Sequence, residues 1–415
     1  MVAGALEGIR VIDVTQVWAG PLVTRIMGDF GAEVIKVESI QHPDIMRYEH
    51  RPKYPPNDKT YNQGGYFHQL NRNKYGITLD LSRSKGREII LELVKYADVV
   101  VENYSSRVFE NFGLNYERFA ANKPDIIMLS LQGYGDSGPY RDGPAFGSTI
   151  EAMSGFKSLL GYGNGVPIYT GACIADPLSG LYGLFAVINA LFYRQKTGKG
   201  QHINVSMHEA MSSITEEALL EYDIHRRAPE QWGSGHPYFA PYGSYRCAGD
   251  DSWIAISVTS DQEWASLCAV IDIPQLRDIC FSTVTQRQQN RDHLDLLVEQ
   301  WTLKHNAVEA MEILQQAGVP AGAFHNGKDI LNNTHLIARD FFWNVVCPDT
   351  GTYPQVGPIV RFSETPATLR LSPPGLGEHN EYILGSILGM SKDDIISLQQ
   401  EGIIGNIPRY KGLLD

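Results

Sequence analysis

The feature that most constrains the fold is a regular alternation of short apolar segments with amphipathic ones in the N-terminal third of the chain. Four of the six residues at 9–14 are apolar, residues 22–30 place apolar side chains at helical spacing, and residues 33–37 return to an apolar strand pattern. Pro21 suits the first position of the predicted helix, and Gly31 suits its C-terminal cap. The segment is therefore predicted to form a βαβ unit.

The same pattern continues along the chain. Further strands are predicted at 77–81, 98–102, 125–131 and 202–206, and further helices at 85–96, 177–194 and 207–226. Strands that are apolar on both faces are typical of a parallel sheet with helices packed on it. We therefore predict an α/β fold.

The length of the chain indicates more than one domain. Single cores seldom grow beyond about 250–300 residues, and this chain has 415. After residue 226 the composition becomes loop-like, and a strand at 252–258 and helices at 262–270 and 307–317 follow. We predict a large domain at 1–226, completed by 330–415 with a helix at 382–388, and a smaller α/β domain at 227–329.

Composition and charge argue against several classes of function. A net charge of −12 disfavours nucleic-acid binding, which needs a dense basic face. The five cysteines are scattered and include no C-x-x-C pair, so neither a disulfide framework nor a metal site is predicted. The N-terminus has no basic segment before an apolar run, and no stretch approaches the roughly 18 uninterrupted apolar residues of a membrane span. We expect a cytoplasmic protein without a membrane partner.

One glycine-rich motif superficially suggests a dinucleotide site. Residues 133–138 fit G-x-G-x-x-G and follow a predicted strand. The next residues, 139–144, begin and end with proline and cannot open the helix whose N-terminus would hold a pyrophosphate. No nicotinamide cofactor is predicted from this motif.

Asp176 is the strongest candidate for a reactive group. It precedes Pro177 at the start of a predicted helix, where Asp as N-cap and Pro as first helical residue are also an ordinary helix start. A carboxylate there is ionised at neutral pH and close to backbone amides, which suits a nucleophile. Cys173 is a competing nucleophile, but no His or basic residue near it in sequence would lower its pKa.

Several motifs, taken in order, resemble those of one enzyme family, the family III CoA transferases, which also includes the α-methylacyl-CoA racemases. The resemblance covers nearly the whole chain. Besides Asp176 it rests on V-W-A-G-P at 17–21, G-A-E-V-I-K-V-E at 31–38, N-R-N-K at 71–74, G-Y-G at 133–135, G-P-Y at 138–140, T-G-K-G-Q at 197–201, H-P at 236–237, P-Y at 241–242, G-V-P at 318–320 and G-E-H at 377–379.

The resemblance implies a Rossmann-type large domain and two subunits interlocked as rings. It also implies that Asp176 attacks an acyl-CoA thioester, and that mixed anhydrides and an aspartyl-CoA thioester follow. CoA is then a substrate, and no metal or other cofactor is needed. A homodimer is expected, with a heteromer as the alternative.

By the same resemblance, CoA contacts are expected from loops that follow the first strands. They correspond to Val17, Trp18, Ala19, Leu70, Asn71, Arg72, Asn73, Lys74, Asn103, Tyr104, Ser105, Gln132, Gly133, Tyr134 and Gly135. Where several relatives carry Arg, this chain has Ser39 and Asn111. We therefore predict that Arg72, Lys74 and Arg107 contact the CoA phosphates.

Two alternatives remain beside a homomeric transferase. A racemase would use a His and Asp pair that falls on Phe146 and Gly147 here, so its base is missing. A heteromeric enzyme of the benzylsuccinate type would need a second chain. The acyl pocket is expected to include Phe146, Tyr169, His236 and Tyr238, and the predicted reaction moves CoA from succinyl-CoA to a larger or aromatic carboxylic acid.

Overall fold

The computed structural model describes residues 4–48, 59–163, 165–347 and 349–409. The chain divides into two compact units. The first comprises Met1–Phe156, Thr170–Leu219 and Ala338–Asp415, and the second comprises Lys157–Tyr169 and Leu220–Ile337. These bounds differ from the predicted ones mainly in the segment Lys157–Tyr169, which the sequence analysis placed in the large domain.

The strands and helices follow one another in chain order. The strands are β1 (Arg10–Val14), β2 (Glu33–Glu38), β3 (Lys74–Thr78), β4 (Val99–Glu102), β5 (Ile127–Gln132), β6 (Gln201–Ser206), β7 (Tyr242–Arg246), β8 (Trp253–Ser257), β9 (Ala321–Ala323), β10 (Phe342–Cys347) and β11 (Gly351–Val356). The helices are α1 (Ala19–Asp29), α2 (Gly65–Asn71), α3 (Ser84–Val94), α4 (Ser106–Asn111), α5 (Tyr116–Asn122), α6 (Gly147–Met153), α7 (Phe156–Leu159), α8 (Ala175–Thr197), α9 (Met207–Ser212), α10 (Glu216–His225), α11 (Asp261–Ile271), α12 (Val284–Gln289), α13 (Arg291–Thr302), α14 (Ala307–Gln316), α15 (Gly327–Leu331), α16 (Thr334–Ala338), α17 (Asn380–Tyr382) and α18 (Lys392–Gln400).

The first unit is built on a six-stranded sheet in the order β3-β2-β1-β4-β5-β6. All of its strand pairs are parallel, which confirms the predicted α/β architecture. Alternate residues of each strand enter two separate apolar cores. Val11 faces the core that contains α1 and α8, whereas Ile12 faces the core that contains α3 and α5. Both faces are therefore buried, which explains why the strands are apolar throughout.

The strand order reverses between β1 and β4. The chain leaves β1 towards one side of the sheet and leaves β4 towards the other, so the loops that follow these strands diverge. A crevice at the carboxyl ends of the strands is the expected result, and it is the usual ligand site of open parallel sheets.

The C-terminal segment of the first unit packs beside β3. The backbone N–H of Asn73 donates to Leu371, and that of His379 donates to Gly76. An antiparallel hairpin, β10 and β11, precedes this segment. The hairpin was not predicted, since its alternating pattern is short and interrupted by Pro354.

Several predicted boundaries are wrong. Strand β3 begins at Lys74, three residues before the predicted start, and the predicted helix at 207–226 is broken by a 3₁₀ turn at Ser213–Thr215. Helix α1 begins at Ala19, so Pro21 is not its first residue. Helix α8 begins at Ala175, which makes Asp176 its second residue and not its N-cap. Helix ends are set by tertiary contacts that the local pattern does not contain.

The second unit has its own core. Strands β7, β8 and β9 form an antiparallel sheet on which α11, α13 and α14 pack through residues such as Leu267, Val298 and Leu314. Strand β8 and helices α11 and α14 were predicted from the sequence, whereas β7, β9 and α13 were not; β9 has only three residues, all Ala or Gly.

Candidate active site

A cavity lies at the predicted switch point of the sheet in the first unit. Its volume is about 210 Å³. The loops after β1, β4 and β5 and the start of α6 and α8 supply its walls, which consist of Gln16, Val17, Asn103, Tyr104, Ser105, Leu131, Gln132, Gly133, Arg141, Gly143, Ala145, Phe146, Asp176 and Met207.

Asp176 reaches this cavity from the first turn of α8. Its side chain is largely buried, with 9% of the residue exposed. The carboxylate accepts hydrogen bonds from the backbone N–H of Ala19, which is the first residue of α1, and from its own N–H. Two helix N-termini therefore meet at one carboxylate, and both favour a negative charge there.

The close approach of these two helices depends on a small residue. A Cβ at Gly180 on α8 would lie only 2.8 Å from the carbonyl oxygen of Ala19. Glycine at this position lets α8 pack directly against α1, and that packing brings the carboxylate of Asp176 to the start of α1.

The pKa of Asp176 is raised to about 7. Burial is the main cause, and the nearby carboxylate of Glu151 adds to it. The hydrogen bonds from Ala19 and from its own N–H act in the opposite direction but are outweighed. Near neutral pH the group is thus poised between a carboxylic acid and an unusually basic carboxylate.

Aromatic side chains lie beside this carboxylate. The rings of Trp18 and Tyr66 meet edge to face, with centroids 5.3 Å apart. The pKa of Tyr66 is raised by burial and then by Cys173 and Asp176. Tyr66 was not among the predicted site residues, because it lies outside the motifs, five residues before the one that begins at Asn71.

The loops after β1 and β4 are joined by one amide side chain. The Oδ1 atom of Asn103 accepts the N–H of Gln16 at 2.8 Å, and its Nδ2 donates to the carbonyl of Gln16 at 2.8 Å. Val17 follows in a left-handed conformation, with φ of 67°. Its N–H donates to Asp44 at 3.1 Å. These contacts fix the edge of the cavity.

The structure brings most of the predicted loop residues together. Of the residues expected to contact CoA, Val17, Asn103, Tyr104, Ser105, Gln132 and Gly133 line the same cavity as Asp176, as does Phe146 of the predicted acyl pocket. Trp18 and Ala19 lie next to this cavity, since the ring of Trp18 contacts Tyr66 and the N–H of Ala19 donates to Asp176. Tyr134 packs against Tyr140, and Gly135 adopts a left-handed conformation with φ of 82°.

The predicted phosphate contacts of Arg72 and Lys74 do not agree with the structure. Both side chains are fully buried, Arg72 in an ion pair with Asp29 at 2.7 Å and Lys74 in one with Asp13 at 2.8 Å. A cation that neutralises a buried carboxylate cannot also reach a ligand at the surface.

The residues around these two cations are buried as well. Leu70, Asn71 and Asn73 are each at most 3% exposed. Asn71 accepts from Lys74 at 2.9 Å, and Asn73 donates to Asp29 at 2.8 Å. The polar run at 71–74, which was expected to contact CoA, is thus buried inside the protein at the start of the edge strand β3.

Arg107 remains available. Its side chain is 61% exposed and lies 3.7 Å from Asp142. Arg141, which the sequence analysis did not select, lines the cavity and forms a two-point ion pair with Glu110 at 2.9 Å. Two arginines are therefore present at the mouth of the crevice.

Three residues of the predicted acyl pocket belong to the second unit. Tyr169 is exposed beneath the ammonium group of Lys157, 4.5 Å from its ring centroid. His236 packs against Phe239, with ring centroids 4.8 Å apart, and Tyr238 is 70% exposed. Within the described ranges, no three His, Cys, Asp or Glu side chains are grouped as metal ligands.

Gly147, the first residue of α6, lies against the carboxylate of Asp176. A Cβ built on it would lie 2.0 Å from Oδ2 of Asp176. We therefore expect Gly147→Ala to displace the carboxylate and to lower enzymatic activity at least about tenfold, since small misplacements of reacting groups are costly. Steady-state kinetics and thermal melting of the variant would test this.

The matched control is Gly327→Ala. Gly327 is also the first residue of a helix, and a Cβ there meets nothing within 4 Å. Activity of Gly147→Ala equal to that of this control would show that the carboxylate tolerates the extra methyl group.

The parallel sheet and the cavity at its switch point define a doubly wound α/β protein in which a largely buried carboxylate faces the candidate ligand site. The chain matches CoA-transferase family III over residues 6–380 and belongs to that family, as its motifs predicted. Its members move CoA between an acyl-CoA and a carboxylic acid, which confirms the predicted class of reaction.

Individual relatives agree with this assignment. The chain is 34% identical to the succinyl-CoA–D-citramalate CoA-transferase of Chloroflexus aurantiacus, over 96% of this chain and 98% of that protein. It is 32% identical to the beta subunit of the succinyl-CoA–L-malate CoA-transferase of the same organism, over 96% and 98%. A solved CaiB/BaiF family protein from Brucella suis has a TM-score of 0.83 at 30% identity, covering 93% of this chain and 100% of that one.

Proposed function

We propose that this CoA-transferase works by covalent catalysis, with Asp176 as the nucleophile. A carboxylate oxygen of Asp176 attacks the thioester carbonyl of the donor, the C–S bond breaks, and a mixed anhydride and CoA thiolate result. The thiolate attacks the aspartyl carbonyl, which releases the donor acid and leaves an aspartyl-CoA thioester. The acceptor carboxylate then displaces CoA to form a second anhydride, and the thiolate attacks the acceptor's acyl carbon and frees Asp176.

The observation that carries this proposal is the position of the carboxylate. Asp176 faces the cavity at the switch point, and the N–H of Ala19 points at its oxygens. The same N–H, at a helix N-terminus, is placed to stabilise the oxyanion that forms when the aspartyl carbonyl is attacked. The raised pKa makes the ionised form a better nucleophile than an ordinary aspartate.

CoA is proposed to lie along the crevice. The loops at Asn103–Ser105 and Gln132–Gly133 would contact its pantetheine arm, and Arg107 and Arg141 would bind its phosphates, in place of the buried Arg72 and Lys74. Arginine suits this role because it can bind phosphate through two parallel hydrogen bonds.

Charge reversal tests the phosphate site. We expect Arg107→Glu to raise KM for acyl-CoA at least about fivefold and to leave kcat nearly unchanged, because the contact is equally strong in the ground state and the transition state. Steady-state kinetics at low salt would measure both values. Lys95→Glu is the control, since Lys95 is exposed and precedes β4, at the amino ends of the strands, whereas Arg107 follows β4 at their carboxyl ends. Equal KM values for both variants would contradict the assignment.

Succinyl-CoA is the proposed donor. Two similar proteins are named as succinyl-CoA-dependent transferases, one acting with D-citramalate and one with L-malate. The acceptor is proposed to be a dicarboxylic acid, with an aromatic succinate as the larger alternative. Rates with malate, citramalate and benzylsuccinate would separate these acceptors.

The chain is further proposed to work in the cytoplasm as a homodimer of interlocked subunits. Helix α8 buries one side against α1 and the sheet, while Leu181, Phe185 and Phe192 on it are each more than half exposed. By length and composition alone α8 could also cross a bilayer, a test that core helices of soluble proteins pass too. A second copy would cover this apolar side. Light scattering of the pure chain would distinguish a dimer from a monomer that needs another subunit.

A trapping experiment tests the chemistry. The pure protein is incubated with succinyl-CoA and other acyl-CoA thioesters, borohydride is added, and peptides are mapped by mass spectrometry. Reduction of Asp176 to the alcohol with one donor is expected, and it would also identify the donor. No modification with any donor, in folded protein, would contradict the covalent route and would favour a missing partner chain or proton abstraction.

A further inference from the structure

A second buried carboxylate lies behind the nucleophile. Glu151, on α6, is 0% exposed. Its Oε1 accepts the backbone N–H of Ile174 at 2.6 Å, and its Oε2 accepts the hydroxyl of Thr170 at 3.4 Å. These two residues bound the segment that leads directly into α8. Glu151 therefore holds the chain immediately before Asp176.

We propose that Glu151 is a positioning residue that tunes the reactivity of Asp176 by placing a second carboxylate close to it. The proposal rests on the function proposed above, in which Asp176 is the nucleophile. It adds a role for a residue that none of the sequence motifs contains.

The geometry of α6 supports this role. Gly147, at the start of the helix, lies against the carboxylate of Asp176, and Glu151 follows four residues later on the same face. The phenol of Tyr66 from α2 and the N–H of Ala19 from α1 also interact with Asp176, and the Cβ of Cys173, from the preceding loop, lies near Gly147. Among the charged groups, Glu151 is the one that raises the pKa of Asp176.

The reaction itself explains what a like charge contributes. Asp176 is negative in the resting enzyme but neutral in each anhydride and in the aspartyl-CoA thioester. Repulsion from Glu151 is therefore present before the attack and relieved after it, which favours the covalent intermediates over the free carboxylate. The cost is that the nucleophile becomes protonated at a higher pH than an ordinary aspartate would.

The variant Glu151→Gln removes the charge of the Glu151 side chain while keeping its shape, so it tests the effect of the charge alone. Glutamine has the same shape, and its Oε1 can still accept the N–H of Ile174, but it carries no charge. We expect the acid limb of the pH profile, measured as the rate of acylation of Asp176 and as kcat/KM for acyl-CoA, to move to lower pH by about one unit. At pH 8.5 we expect the rate to fall several-fold. Glu92→Gln, on an exposed side chain, is the control.

A second variant keeps the proposal testable if Glu151→Gln does not fold. Glu151→Met removes both the charge and the hydrogen-bond acceptor, and its acid limb should move in the same direction if the protein melts above the assay temperature. A limb that stays in place in either folded variant, with Asp176 still trapped by borohydride, would overturn this inference and leave the covalent mechanism intact. Failure to trap Asp176 in the unmodified enzyme would instead overturn the mechanism.

Discussion

An Asp176→Ala enzyme should still bind acyl-CoA but should transfer CoA at least about 10⁴-fold more slowly than the unmodified protein, the order seen when a covalent nucleophile is removed. The reason is that every proposed intermediate is an ester-like derivative of this carboxylate. The cavity and the loops that line it remain, so substrate affinity should change little.

The measurement is a transfer assay combined with direct titration of acyl-CoA binding. Cys173→Ser serves as the matched control, because Cys173 lies in the same segment and its Cβ is near Gly147, as is Asp176. We expect the control to keep most of its activity. Activity retained by Asp176→Ala, or lost in Cys173→Ser, would assign the nucleophile to another residue.

Lys74→Met should destabilise the first unit by about 3–5 kcal/mol, the range found when one member of a buried ion pair is removed. Lys74 donates to Asp13 at 2.8 Å, and both side chains are fully buried. Burial alone would raise the pKa of Asp13, but Lys74 and Lys36 lower it to about 2. Without Lys74 a buried carboxylate at the centre of the sheet would lose its principal partner.

Urea unfolding of the purified variant would measure this loss. Lys85→Met is the control, since Lys85 pairs with Glu401 at the same distance of 2.8 Å while both side chains are about 40% or more exposed. An exposed pair contributes at most about 1 kcal/mol. Equal stability of the two variants would contradict a structural role for Lys74, and loss of acyl-CoA affinity in a stable Lys74→Met would return this residue to the binding site.

The sequence alone was sufficient to predict the parallel sheet and to select Asp176 as the candidate nucleophile. Apolar strands and amphipathic helices alternate strongly enough to predict a parallel sheet, and Asp176 stands at a helix start within a recognisable set of motifs. The cavity walls at Asn103 and Gln132 were predicted from the family resemblance, and Asn103 also agrees with the rule that ligands bind at strand ends.

The remaining features depend on contacts between distant parts of the chain. Arg72 and Lys74 were assigned to the CoA phosphates as substitutes for arginines that this chain lacks at Ser39 and Asn111, and nothing local reveals that Asp29 and Asp13 are buried opposite them. Glu151 lies on a short helix with no motif of its own. Its proximity to Asp176 arises only when α6 and α8 pack together.

The tight fit at Gly147 also limits how this enzyme can evolve. A proton-abstracting relative of the racemase kind would need an acid at position 147, beside a base at position 146. Here any side chain at 147 would occupy the space of the Asp176 carboxylate, with its first carbon 2.0 Å from Oδ2. An acid at position 147 therefore requires a different placement of α6 or of the Asp176 carboxylate from the one found here.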